Sequence, residues 1–182
     1  MSVAREKLVV MKFGGTSVED APAMKRTAAI VRGRREKGLE AVVVVSAMAK
    51  VTDLLLSAAA AAGRCDKAGA LAIGARLRHR HIDTAMALLE AERCVRVQQV
   101  LHQEFDALDD LLRGISAVGE LTPRTNDLVV SFGERLSSRM VAEAFDQREA
   151  AAQAYRYNGG AAGERTVCRD TACSECGVRC AG

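Results

Sequence analysis

Tryptophan is absent from the 182-residue sequence, and aromatic side chains account for only 3% of it. The formal net charge is +3, so neither sign of charge dominates. Proteins that bind nucleic acid usually present a strongly basic face or aromatic rings on which bases stack. Nucleic acid is therefore not an expected partner.

Long apolar runs are also absent. No run approaches the roughly 18 residues that cross a bilayer, and the polar residues 4–7 do not resemble the start of a signal peptide. We therefore expect no membrane partner and a cytoplasmic location. Hydrophobic residues make up 49% of the chain, which is enough for the buried core of one domain.

A short apolar strand is predicted over residues 8–13, and it ends in two glycines, Gly14 and Gly15. Without a Cβ atom, both can adopt positive φ and direct their N–H groups at a phosphate, while Lys12 adds a positive charge. Residues 16–17 supply hydroxyl groups. Lys12 precedes the glycines, whereas the lysine of a P-loop follows them, so this is a different kind of phosphate-binding corner. Alternatively, the glycines form only a tight turn and Lys12 is a solvated strand end.

The next segments predict a βαβ unit. Acidic residues precede a helical pattern that starts at Ala21, and Gly38 follows it. Residues 41–45 are a continuous apolar run, which is typical of a strand covered on both faces in a parallel sheet. The predicted fold class is α/β, with a mainly parallel sheet sandwiched by helices. Such folds bind ligands at the carboxyl edge of the sheet.

Hydroxyl groups follow the second strand at that edge. Ser46 comes directly after the strand, and Thr52 lies where the next helix is expected to start. Both are candidate ligand-binding residues. The alternatives are a turn hydroxyl for Ser46 and a helix N-cap for Thr52.

Residues 54–113 are predicted to be helical, with a break around residues 63–69 and two long packed helices after it. A loop is predicted over residues 114–123. Cys65 and Cys94 are expected to be buried free thiols. The histidines and a run of alternate arginines are expected to be solvated. These residues are His79, His81, His102, Arg76, Arg78 and Arg80.

An acidic residue interrupts the last apolar helical pattern. Within residues 131–138, Glu134 falls on or near an otherwise apolar face, and Gly133 weakens the helix beside it. An acid in that position needs a cationic partner. If the partner is Arg135 or Arg139, Glu134 has a structural role. The alternative is that Glu134 binds the cationic group of a ligand.

The composition changes after Gln153. Residues 155–182 contain no Leu, Ile, Met, Phe or Lys, so we expect them not to extend the core. The chain is therefore divided into a lobe, residues 1–153, and a divergent Gly/Arg/Cys-rich tail, residues 154–182, which is expected to be poorly ordered. Four tail cysteines are either a metal site or the product of a shifted reading frame, and we favour the shifted frame. They are Cys168, Cys173, Cys176 and Cys180.

Three of these segments, in this order, resemble the aspartate kinases of the amino acid kinase fold. They are Lys-Phe-Gly-Gly-Thr-Ser-Val from Lys12, Ser-Ala-Met-Ala-Lys-Val-Thr-Asp-Leu-Leu from Ser46, and Ser-Phe-Gly-Glu-Arg-Leu-Ser-Ser from Ser131. The resemblance spans residues 8–145 and is to the N-terminal part of that kinase domain. It fits stand-alone kinases and those fused to homoserine dehydrogenase equally.

The resemblance implies ATP-dependent phosphorylation of the side-chain carboxylate of L-aspartate, with Mg²⁺, at the head of lysine, threonine and methionine synthesis. By position, Lys12 would be the catalytic residue and would hold the ATP phosphates together with Gly14 and Gly15. Ser46 would lie beside the transferred phosphoryl group. No residue is implied as a metal ligand.

The resemblance further implies that Thr52 and Glu134 bind aspartate. Members of the family continue into further strands, an Arg-Gly-Gly-Ser-Asp segment, an adenine site and regulatory domains, which this sequence lacks. We therefore expect a truncated, inactive fragment. Homo-oligomers are possible for full-length members of the family, but this sequence gives no support for them. The alternative is a non-catalytic remnant that binds phosphate or an amino acid. An Arg-Gly-Gly-Ser-Asp segment in another downstream reading frame would establish the frame shift.

Overall fold

A computed structural model describes residues 7–146, 152–157 and 165–170 of the protein. Its first two strands, β1 (Lys7–Phe13) and β2 (Leu39–Val45), pair in parallel. Because parallel neighbours need a crossover connection, the chain between them forms a helix. The βαβ unit predicted from the sequence is therefore confirmed, as is the α/β fold class.

The crossover consists of a short 3-10 helix (Gly15–Val18) and α1 (Ala21–Arg35). The carboxylate of Asp20 begins α1, since it accepts a hydrogen bond from the backbone N–H of Ala23 at 2.8 Å. Gly38 then turns the chain into β2 with a φ of +72°, in the left-handed region that favours glycine.

Four more helices follow β2. Two of them, α3 and α4, pack along each other as the two long helices predicted from the apolar spacing. Among the described residues, no helix is long and apolar enough to cross a membrane. The four helices are α2 (Val51–Gly63), α3 (Lys67–Leu88), α4 (Ala91–Val118) and α5 (Pro123–Asp146).

The loop predicted over residues 114–123 is wrong in its first half. Helix α4 continues through Gly114, because Ile115 extends the buried face of the helix and outweighs the poor helix propensity of one glycine. The helix ends at Gly119, which has a φ of +72°. Pro123 begins α5, as predicted.

The sheet continues beyond residue 153 with two antiparallel strands, β3 (Ala152–Tyr157) and β4 (Arg165–Asp170). The strand order is β1-β2-β4-β3, so β4 pairs with the edge of β2 that β1 leaves open. The described sheet is therefore mixed. The division of the chain after residue 153 stays a prediction, and the last three tail cysteines lie outside the described residues.

The strands are less buried than the sequence predicted. Val43 and Val45 are buried, whereas the alternate β2 residues are half-buried. On β1, Phe13 is buried, while Leu8 is 58% exposed and Val10 is 66% exposed. The prediction that residues 41–45 are covered on both faces is wrong for the described residues, because Val42 and Val44 are only half-buried there.

The histidines differ from one another. His79 and His102 are exposed as predicted, but His81 is fully buried, because helix α4 covers this face of α3. The ring of His81 meets the ring of Phe105 edge-on, with the centroids 5.4 Å apart, and its Nδ1 lies 2.7 Å from the carbonyl oxygen of Leu77. Its Nε2 has no hydrogen-bond partner in the described part of the chain.

The two cysteines of the helical region also differ. Cys94 is a buried free thiol as predicted, and burial raises the pKa of its thiol. Cys65 is exposed, contrary to prediction, because it lies in the turn between α2 and α3 with a φ of +62°.

Burial of His81 makes stability depend on pH. Burial lowers the pKa of His81 from 6.5 to about 4, since the charged ring would lose its hydration. The unfolded chain therefore gains a proton below pH 6.5 while the folded chain does not. We expect the contribution of His81 to the free energy of unfolding to be constant above pH 6.5. Between pH 6.5 and 4 this contribution should fall by roughly 3 kcal/mol.

Urea unfolding at several pH values measures this loss. A His81→Leu variant cannot take up the proton, so its loss of stability over the same pH range should be smaller. An equal loss in both proteins would contradict the assignment to His81.

Candidate functional site

Two loops meet at the carboxyl edge of the parallel strand pair. The backbone N–H of Ser46, just after β2, donates to the carbonyl oxygen of Phe13 at the end of β1 at 3.0 Å. Further along, the N–H of Ala49 donates to the carbonyl oxygen of Gly15 at 3.2 Å. The loops after β1 and β2 are thus hydrogen-bonded to each other. In a βαβ unit these two loops lie at the same edge of the sheet, where α/β folds bind ligands.

The two glycines of the first loop have different roles, and neither adopts the positive φ that the sequence suggested. Gly14 has a φ of −77°, and the described glycines with positive φ are elsewhere in the chain. At Gly15, an added Cβ atom would lie 3.0 Å from the carbonyl oxygen of Ala47, so the close approach of the two loops favours glycine there. An added Cβ at Gly14 meets nothing within 4 Å, so the protein leaves this position open to a ligand.

Lys12 is the second-to-last residue of β1, close to the loop that follows the strand. It pairs with Val44 in the ladder and its side chain is exposed. No ion pair recorded for residues 7–146 involves Lys12. The structure therefore leaves this cation available near the carboxyl edge, but it records no direct contact between Lys12 and the other predicted site residues.

Helix α5 is not interrupted at Gly133, contrary to the sequence prediction. An added Cβ atom at Gly133 would lie 2.7 Å from the Cβ of Ala47 and 3.4 Å from the side chain of Leu55. Glycine thus lets the helix backbone reach the loop after β2. The sequence showed the glycine but could not show this contact, because its partners lie 80 or so positions earlier in the chain.

Two side chains of α5 bond the same loop. The buried hydroxyl of Ser137 donates to the carbonyl oxygen of Ser46 at 2.7 Å, and Oε1 of Glu134 accepts from the N–H of Ala47 at 3.4 Å. The structure thereby places Glu134 against the loop that carries Ser46, and the binding role of Glu134 stays a prediction. Sequence reasoning missed Ser137, whose only signal was a hydroxyl on a buried helix face.

The structural alternative for Glu134 finds no support among the described residues. Arg135 pairs with Glu104 of α4 instead, and both side chains are almost completely buried. The guanidinium of Arg135 also lies 4.2 Å from the centroid of the Phe132 ring. None of the ion pairs found in the described ranges includes Glu134 or Arg139, so a half-buried carboxylate faces the loop without a cation.

Thr52 is not the N-cap of α2, which was the alternative to a binding role. The cap is Lys50, with a φ of +66°, and Thr52 is the second residue of the helix, half-buried. Its hydroxyl has no recorded contact with Glu134 or Ser46. The binding role of Thr52 therefore stays a prediction.

The arginine run is not a uniformly solvated face. Arg76 is exposed as predicted. Arg78 pairs with Asp106 and Asp109 of α4, and Arg80 is half-buried and donates to backbone carbonyls of both loops. The prediction of solvation is wrong for these two, because α3 is packed between α4 and the loops.

The open space beside Gly14, the exposed Lys12 and the contact between α5 and the second loop all lie towards the carboxyl edge of the parallel strands, where α/β folds commonly bind ligands. The family model for the amino acid kinase family matches residues 7–171. The chain belongs to the amino acid kinase family.

The similar curated proteins are aspartokinases. The chain is 37% identical over 139 residues to chloroplastic aspartokinase 2 of Arabidopsis thaliana, an alignment that covers 75% of this chain and 24% of that protein. It is 33% identical over 135 residues to the chloroplastic bifunctional aspartokinase/homoserine dehydrogenase 2 of Zea mays, covering 74% of this chain and 14% of that protein. The chain thus spans a quarter or less of the length of these relatives.

Similar solved structures include two of the E. coli aspartokinase III. The structure in complex with aspartate and ADP has a TM-score of 0.68 at 26% identity, and the match covers 81% of this chain and 30% of that one. The complex with lysine and aspartate has a TM-score of 0.66 at 25% identity, covering 78% and 29%. Both likenesses extend over most of the described residues.

The contact at Gly133 yields a stability prediction with a matched control. A Gly133→Ala substitution should lower the free energy of unfolding by about 1–3 kcal/mol, because the new methyl group would overlap Ala47. Gly114→Ala should instead raise it by about 0.5–1 kcal/mol, because an added Cβ meets nothing there and alanine is the better helix former.

Urea unfolding of the three proteins measures both changes. Equal stabilisation by the two substitutions would mean that α5 does not approach the loop as closely as the structure shows.

Proposed function

We propose that the chain is the N-terminal part of an aspartate kinase, which transfers a phosphoryl group from ATP to the side-chain carboxylate of L-aspartate. The observation that carries the proposal is the meeting of Glu134 with the loop after β2 at Ala47. Support comes also from the family, from the aspartokinase relatives, and from the neighbouring structure bound to aspartate and ADP. Roles in lysine, threonine and methionine synthesis and a cytoplasmic location belong to this proposal.

The nucleotide would bind at the first loop. Gly14 leaves room for a phosphate, and Lys12 contributes a positive charge that neutralises phosphate oxygens. Ser46, at the start of the second loop, would lie beside the transferred phosphoryl group. This arrangement suits phosphoryl transfer, which depends on positioning and charge neutralisation more than on covalent chemistry by the protein.

Mg²⁺ would reach the site with ATP and would supply further positive charge to the phosphates. Within the described ranges, no three His, Cys, Asp or Glu side chains are grouped to hold a metal ion. The donor set present is instead a lysine, hydroxyls and backbone N–H groups, which fits the phosphates themselves. The described residues thus fit the nucleotide and provide no ligand set for the metal.

Aspartate would bind between Glu134 and Thr52. A carboxylate nucleophile is already ionised at pH 7, so the reaction needs no general base. The substrate also carries an ammonium group, and Glu134 supplies an anion that no cation occupies in the described residues. The ammonium would therefore gain a charge-assisted hydrogen bond without first breaking an ion pair.

A Glu134→Gln substitution tests this role. It keeps the shape of the side chain and removes the charge, so the affinity for L-aspartate should fall by roughly ten- to a hundredfold, as for the loss of a charged hydrogen bond of 1.5–3 kcal/mol. Isothermal titration of the 182-residue chain with L-aspartate measures the loss.

The matched control is Glu143→Gln on the same helix, whose carboxylate lies 3.6 Å from Arg93 instead of at the loop. It should leave the aspartate affinity unchanged. Equal affinities of the wild-type chain and the Glu134→Gln variant, or no aspartate binding by the wild-type chain, would remove Glu134 from the proposed site.

The second candidate function is a non-catalytic remnant that captures a phosphate or an amino acid. The observation behind it is that the described residues offer groups suited to binding, namely the open space beside Gly14 and the carboxylate of Glu134. A glycine loop and an acid are enough for binding, whereas transfer needs the rest of the nucleotide site.

We expect no aspartate kinase turnover from these 182 residues alone, whereas either ligand should bind. A coupled assay that detects ADP release measures this. Turnover above background that is lost in a Lys12→Ala variant would show that the chain is a competent kinase as it stands.

A further inference from the structure

Arg80 of α3 reaches both loops of the candidate site. Its Nη1 donates to the carbonyl oxygen of Ala49, in the loop after β2, at 2.8 Å. Its Nη2 donates to the carbonyl oxygen of Glu19, which ends the loop after β1, at 3.1 Å. One guanidinium thus joins two segments that are 30 residues apart in the chain.

These bonds add to a direct link between the two loops. The loops already meet through the N–H of Ala49 and the carbonyl oxygen of Gly15. Arg80 forms no ion pair within the described ranges. Its guanidinium donates instead to these two carbonyl oxygens, of Ala49 and Glu19. Directly after Ala49, Lys50 adopts a φ of +66°, a conformation that costs a non-glycine residue about 1–2 kcal/mol and needs support from its surroundings.

The neighbouring arginines show that this is particular to Arg80. Arg76, one turn earlier on α3, is exposed and has no recorded partner among residues 7–146. Arg78 binds the carboxylates of Asp106 and Asp109 on α4, away from the loops. The planar fork of a guanidinium can serve two carbonyls at once, whereas a lysine ammonium at the same place would reach one.

We propose that Arg80 is a positioning residue, which holds the loop after β1 and the loop after β2 at the spacing that their ligands require. The first loop carries Gly14 and Gly15 for the phosphates, and the second carries Ser46 beside the acceptor. Arg80 itself touches neither ligand. The part of the proposal that concerns ligands rests on the proposed function, and the part that concerns the loops does not.

Hydrogen exchange in the full 182-residue chain tests the effect on the loops. The Arg80→Met variant keeps an unbranched stem and removes both donors. We expect the N–H groups of Ala49 and Ser17, which are bonded across or within the loops, to exchange at least about tenfold faster in this variant. The N–H groups of α4 should keep their wild-type rates, which excludes general destabilisation.

Two further variants sharpen the comparison. Arg80→Lys should give intermediate exchange rates at Ala49 and Ser17, because it can bond only one loop. Arg78→Met removes the ion pairs with α4, so it should lower the melting temperature without faster exchange at the loops. Wild-type loop exchange in Arg80→Met, or equally faster exchange in Arg78→Met, would overturn the proposal.

Titration with ADP and with L-aspartate tests the consequence for ligands. The Arg80→Met variant should bind each ligand about tenfold more weakly than the wild-type chain, a difference of roughly 1.4 kcal/mol, and Arg78→Met should bind as the wild type does. Unchanged affinities together with faster loop exchange would overturn the positioning role. If the wild-type chain binds neither ligand, the proposed function fails, and the exchange rates alone decide whether Arg80 holds the loops.

Discussion

The close contact between α5 and the loop after β2 determines where the candidate site residues lie. It depends on Gly133, since any side chain there would overlap Ala47. Once the helix is this near, the hydroxyl of Ser137 reaches the carbonyl oxygen of Ser46, and Glu134 reaches the N–H of Ala47. A helix 2 Å farther away would make neither bond, because hydrogen bonds weaken steeply beyond their usual distances. The acid and the loop are therefore placed together by packing, not by neighbouring sequence.

Helix α4 packs against α5 and stabilises the contact of α5 with the loop after β2. Arg135, next to Glu134, forms a largely buried ion pair with Glu104 of α4, and removing one partner of such a pair typically costs about 3–5 kcal/mol. This pair orients the turn of α5 that carries Glu134. Arg80 of α3 bonds carbonyl oxygens of both loops. Helices α3, α4 and α5 thus pack together around the candidate site, in which Glu134 lies on α5, Lys12 on β1, and Gly14 and Ser46 on the loops.

Local signals predicted the fold better than they predicted the contacts. The apolar runs and the glycine pair gave the two parallel strands, and Asp20 marked the start of α1, because strand and cap patterns depend on neighbouring residues. His81 and Arg80 were assigned to solvent wrongly, since their burial depends on which face α4 and the loops cover. Glu134 was recognised as unusual from its apolar surroundings, but only the structure showed that Arg135 is already paired with Glu104. Long-range pairs of this kind leave no periodic pattern in a single sequence.

We infer that ligands bind at the two joined loops, beside the contact between α5 and the loop after β2. Backbone N–H chemical shifts of the 182-residue chain, recorded by two-dimensional NMR during titration with L-aspartate and then with Mg²⁺ and ADP, test it most directly. Aspartate should shift the signals of Ala47 and of the α5 turn around Glu134, and the nucleotide should shift those of Gly14 and Gly15. Shifts confined to other parts of the chain, or none at saturating ligand, would contradict it.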